Sequence, residues 1–272
     1  MRTFVASAAQ LCAGPDPDRN AQTARTLIEQ AASRGAQLVC LPELFGWSGP
    51  GAQESSVAET VPGRTTELAA ELARRHRIHI VAGSVLEKSG DPSESRCYNT
   101  AQLVGPGGDL LASYRKIHLF DVDIDGGPSV IESRNRVPGE DIICLDTELG
   151  RIGLAICYDL RFPELFRELS SAGAEIIVMP SAFTAQTGES HWLPLIRARA
   201  IENQCFFIAP NQHGPTAYGF ASYGHSLIVD PWGTVLAEAG DDGPATVDAE
   251  LRADRIEQIR AQLPSLSHRR LS

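Results

Sequence analysis

The segment "GAQLVCLPELF", residues 35–45, is echoed later in the chain by "GAEIIVMPSAF", residues 173–183. Both begin with Gly-Ala, run through a short apolar strand, stop at a proline and close on a phenylalanine. A strand with apolar side chains on both faces must be covered on both. A proline, lacking an N–H, ends the strand's part in the ladder. Helical stretches, residues 18–34 and 162–172, precede the two copies. The repeat therefore predicts two similar α/β halves that face each other with these strand ends close together. Chance likeness between two buried strands is the alternative. In the first copy Glu43 stands where Ser181 stands in the second. That difference falls at the carboxyl end of a strand, where α/β folds tend to bind ligands.

The same alternation continues along the chain. Strands are expected in "FVASAAQL", "IHIVAGSVL" and "CFFIAP", and helices over residues 64–77, 189–202 and 251–262. Hairpins are expected over 99–116, 141–157 and 224–239, with a last strand near residue 245. No low-complexity linker interrupts the pattern, so residues 1–272 read as a single α/β domain with sheets covered by helices.

Charge and composition exclude several classes of function. A formal net charge of −10 argues against a nucleic-acid or anionic-membrane partner. No apolar run approaches the roughly 20 residues of a membrane span. The N-terminal "MRTFVASAAQL" lacks the pattern of a signal peptide, so a cytoplasmic enzyme is expected. The six cysteines show no C-x-x-C and no histidine at metal-ligand spacing, so neither a metal site nor a disulfide framework is expected. Cys12, Cys40, Cys144 and Cys205 lie in or beside apolar runs and read as buried small hydrophobes.

Three groups remain that could do chemistry. Glu43, between "VCLP" and "LFGW", is either a surface residue opening a loop or a desolvated carboxylate. Lys116 ends the strand-like "LLASYRK" and opens an irregular segment that carries Glu132. Long loops of this kind usually have a function, often lining a site, although a plain strand-end charge is the simpler reading of Lys116. Cys157 stands where a strand hands over to a Pro-opened helix in "RIGLAICYDLRFPEL". Its thiol is either core packing or a nucleophile lifted out of the sheet, with the following N–H groups facing the same space. His118 and His191 are the best-placed histidines, yet neither sits in a local cysteine-protease signature.

Taken in order, "LPELF", "YRKIHLFD" and "ICYDLRFPEL" resemble the Glu-Lys-Cys signature of the nitrilase superfamily of carbon–nitrogen hydrolases. The resemblance extends through "PSAFTAQTGESHWLPLIRARAIENQCF" and "ASYGHSLIVDPWGTVLAEAG". "CYD", in place of the Cys-Trp-Glu usual in true nitrilases, is similar to the Nit branch of omega-amidases and deaminated glutathione amidases. "HWLPLIRARAIE" and "LPSLSHRR" look closest to the latter.

The resemblance implies a four-layer α-β-β-α sandwich that assembles as a homodimer or higher homo-oligomer and needs no cofactor. It implies that Glu43 is general base, Lys116 the oxyanion donor and Cys157 the nucleophile. Glu132 would orient Lys116 or the substrate. The implied reaction takes a small carboxylate-bearing amide to an acid and ammonia through a thioester. Candidate substrate-binding residues are Tyr158, Arg161, Phe183, Thr184, His191 and Arg199, although a helix arginine paired to an acid is the simpler reading of Arg199. Hydrolysis of N-carbamoyl amines or aliphatic amides with the same three residues, and a non-catalytic binding relative, are the competing readings.

Overall fold

The computed structural model describes residues 1–271. Two six-stranded sheets form the centre. The first is ordered β16-β1-β2-β3-β4-β5, from β1 (Phe4–Gln10), β2 (Leu38–Cys40), β3 (His79–Lys88), β4 (Cys97–Val104), β5 (Leu110–Arg115) and β16 (Ala245–Leu251). The second is ordered β15-β14-β11-β10-β9-β8, from β8 (Cys144–Asp146), β9 (Arg151–Leu154), β10 (Ile176–Val178), β11 (Phe206–Ala209), β14 (Leu227–Val229) and β15 (Val235–Glu238). Two short hairpins complete the strands: β6 (Asp121–Asp123) with β7 (Ser129–Ile131), and β12 (His213–Pro215) with β13 (Ala221–Tyr223). The helices are α1 (Pro17–Ser33), α2 (Glu54–Val57), α3 (Arg64–His76), α4 (Pro163–Ser171), α5 (Ala185–Asn203) and α6 (Ala253–Gln262).

Period-two alternation sorts the first sheet's side chains between two cores. Phe4, Ala6 and Ala8 of β1, Leu38 and Cys40 of β2 and Val81 of β3 face the second sheet's core. Val39, Ile80 and Ala82, from the alternate positions, pack instead with Leu27 and Ile28 of α1 and Leu72 of α3. On the far side, Phe166 of α4 and Trp192 of α5 cover the second sheet. The result is the α-β-β-α sandwich.

The repeated segments occupy matching places. β2 lies parallel between β1 and β3, and β10 lies parallel between β9 and β11. Each is preceded by a glycine in the left-handed region, Gly35 at φ +90 and Gly173 at φ +89, a conformation glycine adopts without strain. Local signals set the helix starts. Asp16 caps α1 by accepting from the N–H groups of Asp18 and Arg19, at 3.0 and 3.1 Å, with Pro17 at its first position. α5 begins four residues earlier than expected because Thr184 acts as its cap. Two cysteines differ from expectation: Cys12 is exposed because it lies past the end of β1, and Cys144 is half-buried because it opens β8, the edge strand of the second sheet.

Candidate active site

The two echoed strand ends meet. Glu43 follows β2, and its Oε2 accepts from the N–H of Ala182, which follows β10, at 2.9 Å. Both this strand end and the one after β9 turn sharply: Leu44 stands at φ +55 and Cys157 at φ +46. Non-glycine residues in that region cost about 1–3 kcal/mol each and persist only where surroundings impose them. Around Glu43, the N–H of Leu44 donates to Ser84 Oγ at 3.0 Å and Gln212 Nε2 donates to the Glu43 carbonyl at 2.9 Å. Gly83 lies so close beneath that a Cβ there would stand 2.1 Å from the carbonyl oxygens of Leu41 and Pro42.

Asp159 imposes the turn at Cys157. Fully buried, its Oδ2 accepts from the N–H of Ile156 at 2.8 Å and from the Tyr114 hydroxyl at 2.7 Å. Its Oδ1 accepts from the N–H of His118 at 3.1 Å and lies 2.7 Å from His118 Nδ1. Tyr114 and His118 flank Lys116, so one carboxylate ties the cysteine turn to the segment carrying the lysine. The Cys157 N–H itself donates to the Pro180 carbonyl at 2.9 Å. The N–H of Tyr158, second in the 3₁₀ turn Cys157–Arg161, has no backbone acceptor among the described residues.

Lys116 is buried between two carboxylates. Its Nζ donates to Glu43 Oε1 and to Glu132 Oε2, each at 3.0 Å. Asn99 Nδ2 donates to the same Glu43 oxygen at 2.8 Å, and the N–H of Phe120 donates to Glu132 Oε2 at 2.8 Å. Arg136 donates to Glu132 Oε1 and forms a two-pronged pair with Glu54, at 3.0 and 2.8 Å. The Tyr218 hydroxyl donates to Glu54 Oε1 at 2.8 Å.

Electrostatics follow from this arrangement. Burial pushes the Cys157 thiol well above its ordinary value, the Glu43 charge pushes the same way, and Lys116 opposes them. Burial disfavours the Lys116 ammonium, but Glu132 and Glu43 outweigh it and hold the group firmly protonated. For Glu132, burial is outweighed by Lys116 and Arg136, so its carboxyl lies below the usual carboxylate range. At neutral pH the site therefore holds a neutral thiol, the ionised Glu132 carboxylate and the Lys116 ammonium.

Glu43, Lys116, Glu132 and Cys157 all line one pocket. Tyr158, Arg161, Phe183 and Thr184 line it as well. His191 does not. It is exposed on α5 and touches the pocket only through Arg161, whose Nη1 lies 3.2 Å from its Nδ1. Arg199 is also outside: it donates to the Leu160 carbonyl at 3.2 Å and to Glu202 Oε1 at 2.9 Å, which makes it a packing residue of α5. Residues absent from the sequence reading are Asn99, Arg136, Glu54 and the hairpin β12–β13, which supplies His213, Pro215 and Ser222 to the pocket wall. Asp159 lies within "ICYDLRFPEL", two residues after Cys157, and that spacing is its signal in the sequence. Among the described residues, no group of three His, Cys, Asp or Glu side chains could hold a metal ion, and no helix is long and apolar enough to cross a membrane.

Fold and site together define a hydrolase of the nitrilase superfamily, directed at amides. The chain belongs to the carbon–nitrogen hydrolase family, whose sequence model matches residues 5–261. It is 41% identical over 272 residues to the deaminated glutathione amidase of Synechocystis sp. (strain PCC 6803 / GT-S), a match covering 99% of each chain. Among solved structures it resembles Saccharomyces cerevisiae Nit3, a member of branch 10 of the nitrilase superfamily. That match has a TM-score of 0.88 and 34% identity, over 99% of this chain and 97% of that one. It also resembles an amidase from Nesterenkonia sp. AN1, with a TM-score of 0.79 and 29% identity over 96% of this chain and 98% of that one. That structure shows the result of Michael addition of acrylamide at the active site cysteine.

Proposed function

We propose that this chain is a thiol-dependent amidase for small carboxylate-bearing amides of the deaminated glutathione type. Cys157 is its nucleophile, Glu43 the general base, Lys116 the oxyanion donor and Glu132 the group that orients Lys116. The observation that supports this most strongly is the placement of one buried thiol between a carboxylate and an ammonium in a single pocket.

The chemistry proceeds in two halves. Glu43 Oε1 is occupied by two donors, whereas Oε2 has only the N–H of Ala182, which leaves it free to take the thiol proton. As the Cys157 sulfur attacks the amide carbonyl, Lys116 and the unengaged N–H of Tyr158 stabilise the developing oxyanion. One such donor is typically worth about 2.7–4 kcal/mol. Glu43 then returns the proton to the leaving nitrogen, and the adduct collapses to a thioester. A water deprotonated by Glu43 attacks the thioester and the thiol leaves reprotonated. A primary amide releases ammonia; the secondary amide of deaminated glutathione releases a dipeptide amine, so an assay must follow the acid product.

Arg161 supports the carboxylate preference. It lines the pocket over the Phe183 ring, 5.1 Å from its centroid, and no carboxylate pairs with it among the described residues. Thr184 offers a hydroxyl nearby, and the Tyr158 ring stands 5.8 Å from the Arg161 guanidinium. The enzyme acts as one domain over residues 1–272, in the cytoplasm and as a homodimer or higher homo-oligomer. The exposed apolar pair Trp232 and Ile201, beside the β14–β15 turn, supports association. Acid release from deaminated glutathione and alpha-ketoglutaramate, measured side by side for the wild-type chain and Cys157→Ala, tests the reading. Turnover of either that vanishes with Cys157 is expected, and silence on both refutes it.

A further inference from the structure

The ionic groups of the site do not stop at Glu132. They continue as an alternating chain of buried charges, Glu43, Lys116, Glu132, Arg136 and Glu54, in which each cation is shared between two carboxylates. Arg136 and Glu54 are both nearly inaccessible, at 2% exposure each, and neither reaches the thiol. The pair sits behind Glu132, where Glu54 is anchored by α2 and held from the hairpin side by the Tyr218 hydroxyl.

We infer that Glu54 and Arg136 are positioning residues for the reaction, setting how strongly Lys116 is held by Glu132 and therefore how freely it serves Glu43 and the oxyanion. This inference rests on the proposal that Glu43 is the base. With Glu54 in place, Arg136 divides its attraction between two carboxylates, and Glu132 keeps a firm hold on Lys116. Without the Glu54 charge, Arg136 turns wholly to Glu132. Lys116 then leans toward Glu43, which becomes a weaker base, while less of the ammonium is available to the oxyanion.

The other charged and titratable groups facing these residues are few. Cys97 of β4 lies near Arg136, Glu54 and Glu132, and its thiol is pushed up to about 11, mainly by burial, so it stays neutral below pH 9. The Tyr218 hydroxyl is pushed up as well, again mainly by burial. Cys157 faces Glu43 and Lys116 and is also neutral in this range. None of these three groups therefore contributes to the acid limb of a pH–rate profile.

The test is the pH dependence of kcat/KM for acid release from alpha-ketoglutaramate, or whichever amide the wild type turns over best. It is measured on the full chain, with folding checked by circular dichroism. Glu54→Gln should move the acid limb to lower pH by half a unit or more and cut kcat about tenfold. Glu54→Asp, which keeps the charge, should leave the limb within 0.2 of a unit of the wild-type position. The double variant Glu54→Gln with Arg136→Gln removes both buried charges and so leaves neither unpaired. It frees Glu132 to hold Lys116 alone, and the limb should move up instead. Folded Glu54→Gln and double variants whose limbs both superimpose on the wild type overturn the inference, as does a shift of the same sign in both. If Glu43→Gln retains full turnover, the base assignment has failed, which is a different result from wild-type-like limbs in an enzyme that needs Glu43.

Discussion

Replacing Glu43 with glutamine should separate the thiol's reactivity from the enzyme's turnover. The Cys157 thiol lies well above 9.0, so at pH 7 fewer than about one molecule in a hundred carries a thiolate. Attack on an amide therefore depends on a base that takes the proton during the reaction. Removing such a base typically costs about 10²–10⁴-fold, or about 2.7–5.5 kcal/mol at 1.36 kcal/mol per decade. Glutamine also removes a negative charge that raises the thiol's pKa, while Lys116, which lowers it, stays in place on Glu132. The Cys157 thiol should thus ionise more easily in Glu43→Gln than in the wild type. Steady-state hydrolysis and iodoacetamide labelling at pH 7, with Cys157→Ala as the labelling blank, read the two effects separately. Turnover should fall at least a hundredfold while labelling of Cys157 becomes faster. A folded Glu43→Gln protein that keeps more than a tenth of wild-type kcat/KM would refute the reasoning, and so would labelling that slows in step with turnover.

Other substitutions probe neighbouring contacts. Lys116→Met leaves Glu43 and Glu132 buried without their shared ammonium. Its expected cost is about 3–5 kcal/mol of stability in chemical denaturation, together with loss of measurable turnover. Arg161→Met should raise KM for carboxylate-bearing amides at least tenfold and change kcat/KM for a neutral aliphatic amide less than threefold. Asp159→Asn replaces an acceptor that holds Ile156, Tyr114 and His118. It should lower Tm by several degrees and cut kcat more than it changes KM, because the thiol turn loses its clamp. Glu132 has a folded carboxyl below its ordinary 4.5, so its stabilising effect is present above that pH and is lost as the pH falls through the folded value. Unfolding free energy of Glu132→Gln should accordingly vary less than wild type between pH 5 and 3.

Much of this arrangement was written locally. The Gly-Ala start and proline stop of residues 35–45 and 173–183 placed two central strands correctly, because turn glycines and strand-ending prolines act through their own backbone. Their convergence was legible too: Glu43 accepts from Ala182, at the position after Ser181 in the second copy. What could not be read were partners separated by long stretches of chain, such as Asn99 on Glu43 and Glu54 on Arg136. A buried carboxylate and an exposed one look alike in sequence, and only the sheet packing decides between them. Arg199 failed for the complementary reason. Its helix turns it toward Leu160 and Glu202, away from the pocket that Arg161 enters. The β12–β13 hairpin, short and rich in turn residues, left no periodic signal at all.

A covalent acyl-enzyme on Cys157 is the decisive species. Rapid acid quench of the enzyme during turnover of alpha-ketoglutaramate or deaminated glutathione, followed by peptide mass spectrometry, should show one added acyl mass on the peptide containing Cys157. That mass should disappear in Cys157→Ala and on treatment with hydroxylamine. Undiminished hydrolysis by Cys157→Ala, or an acyl group found on another residue, would contradict the thiol mechanism outright.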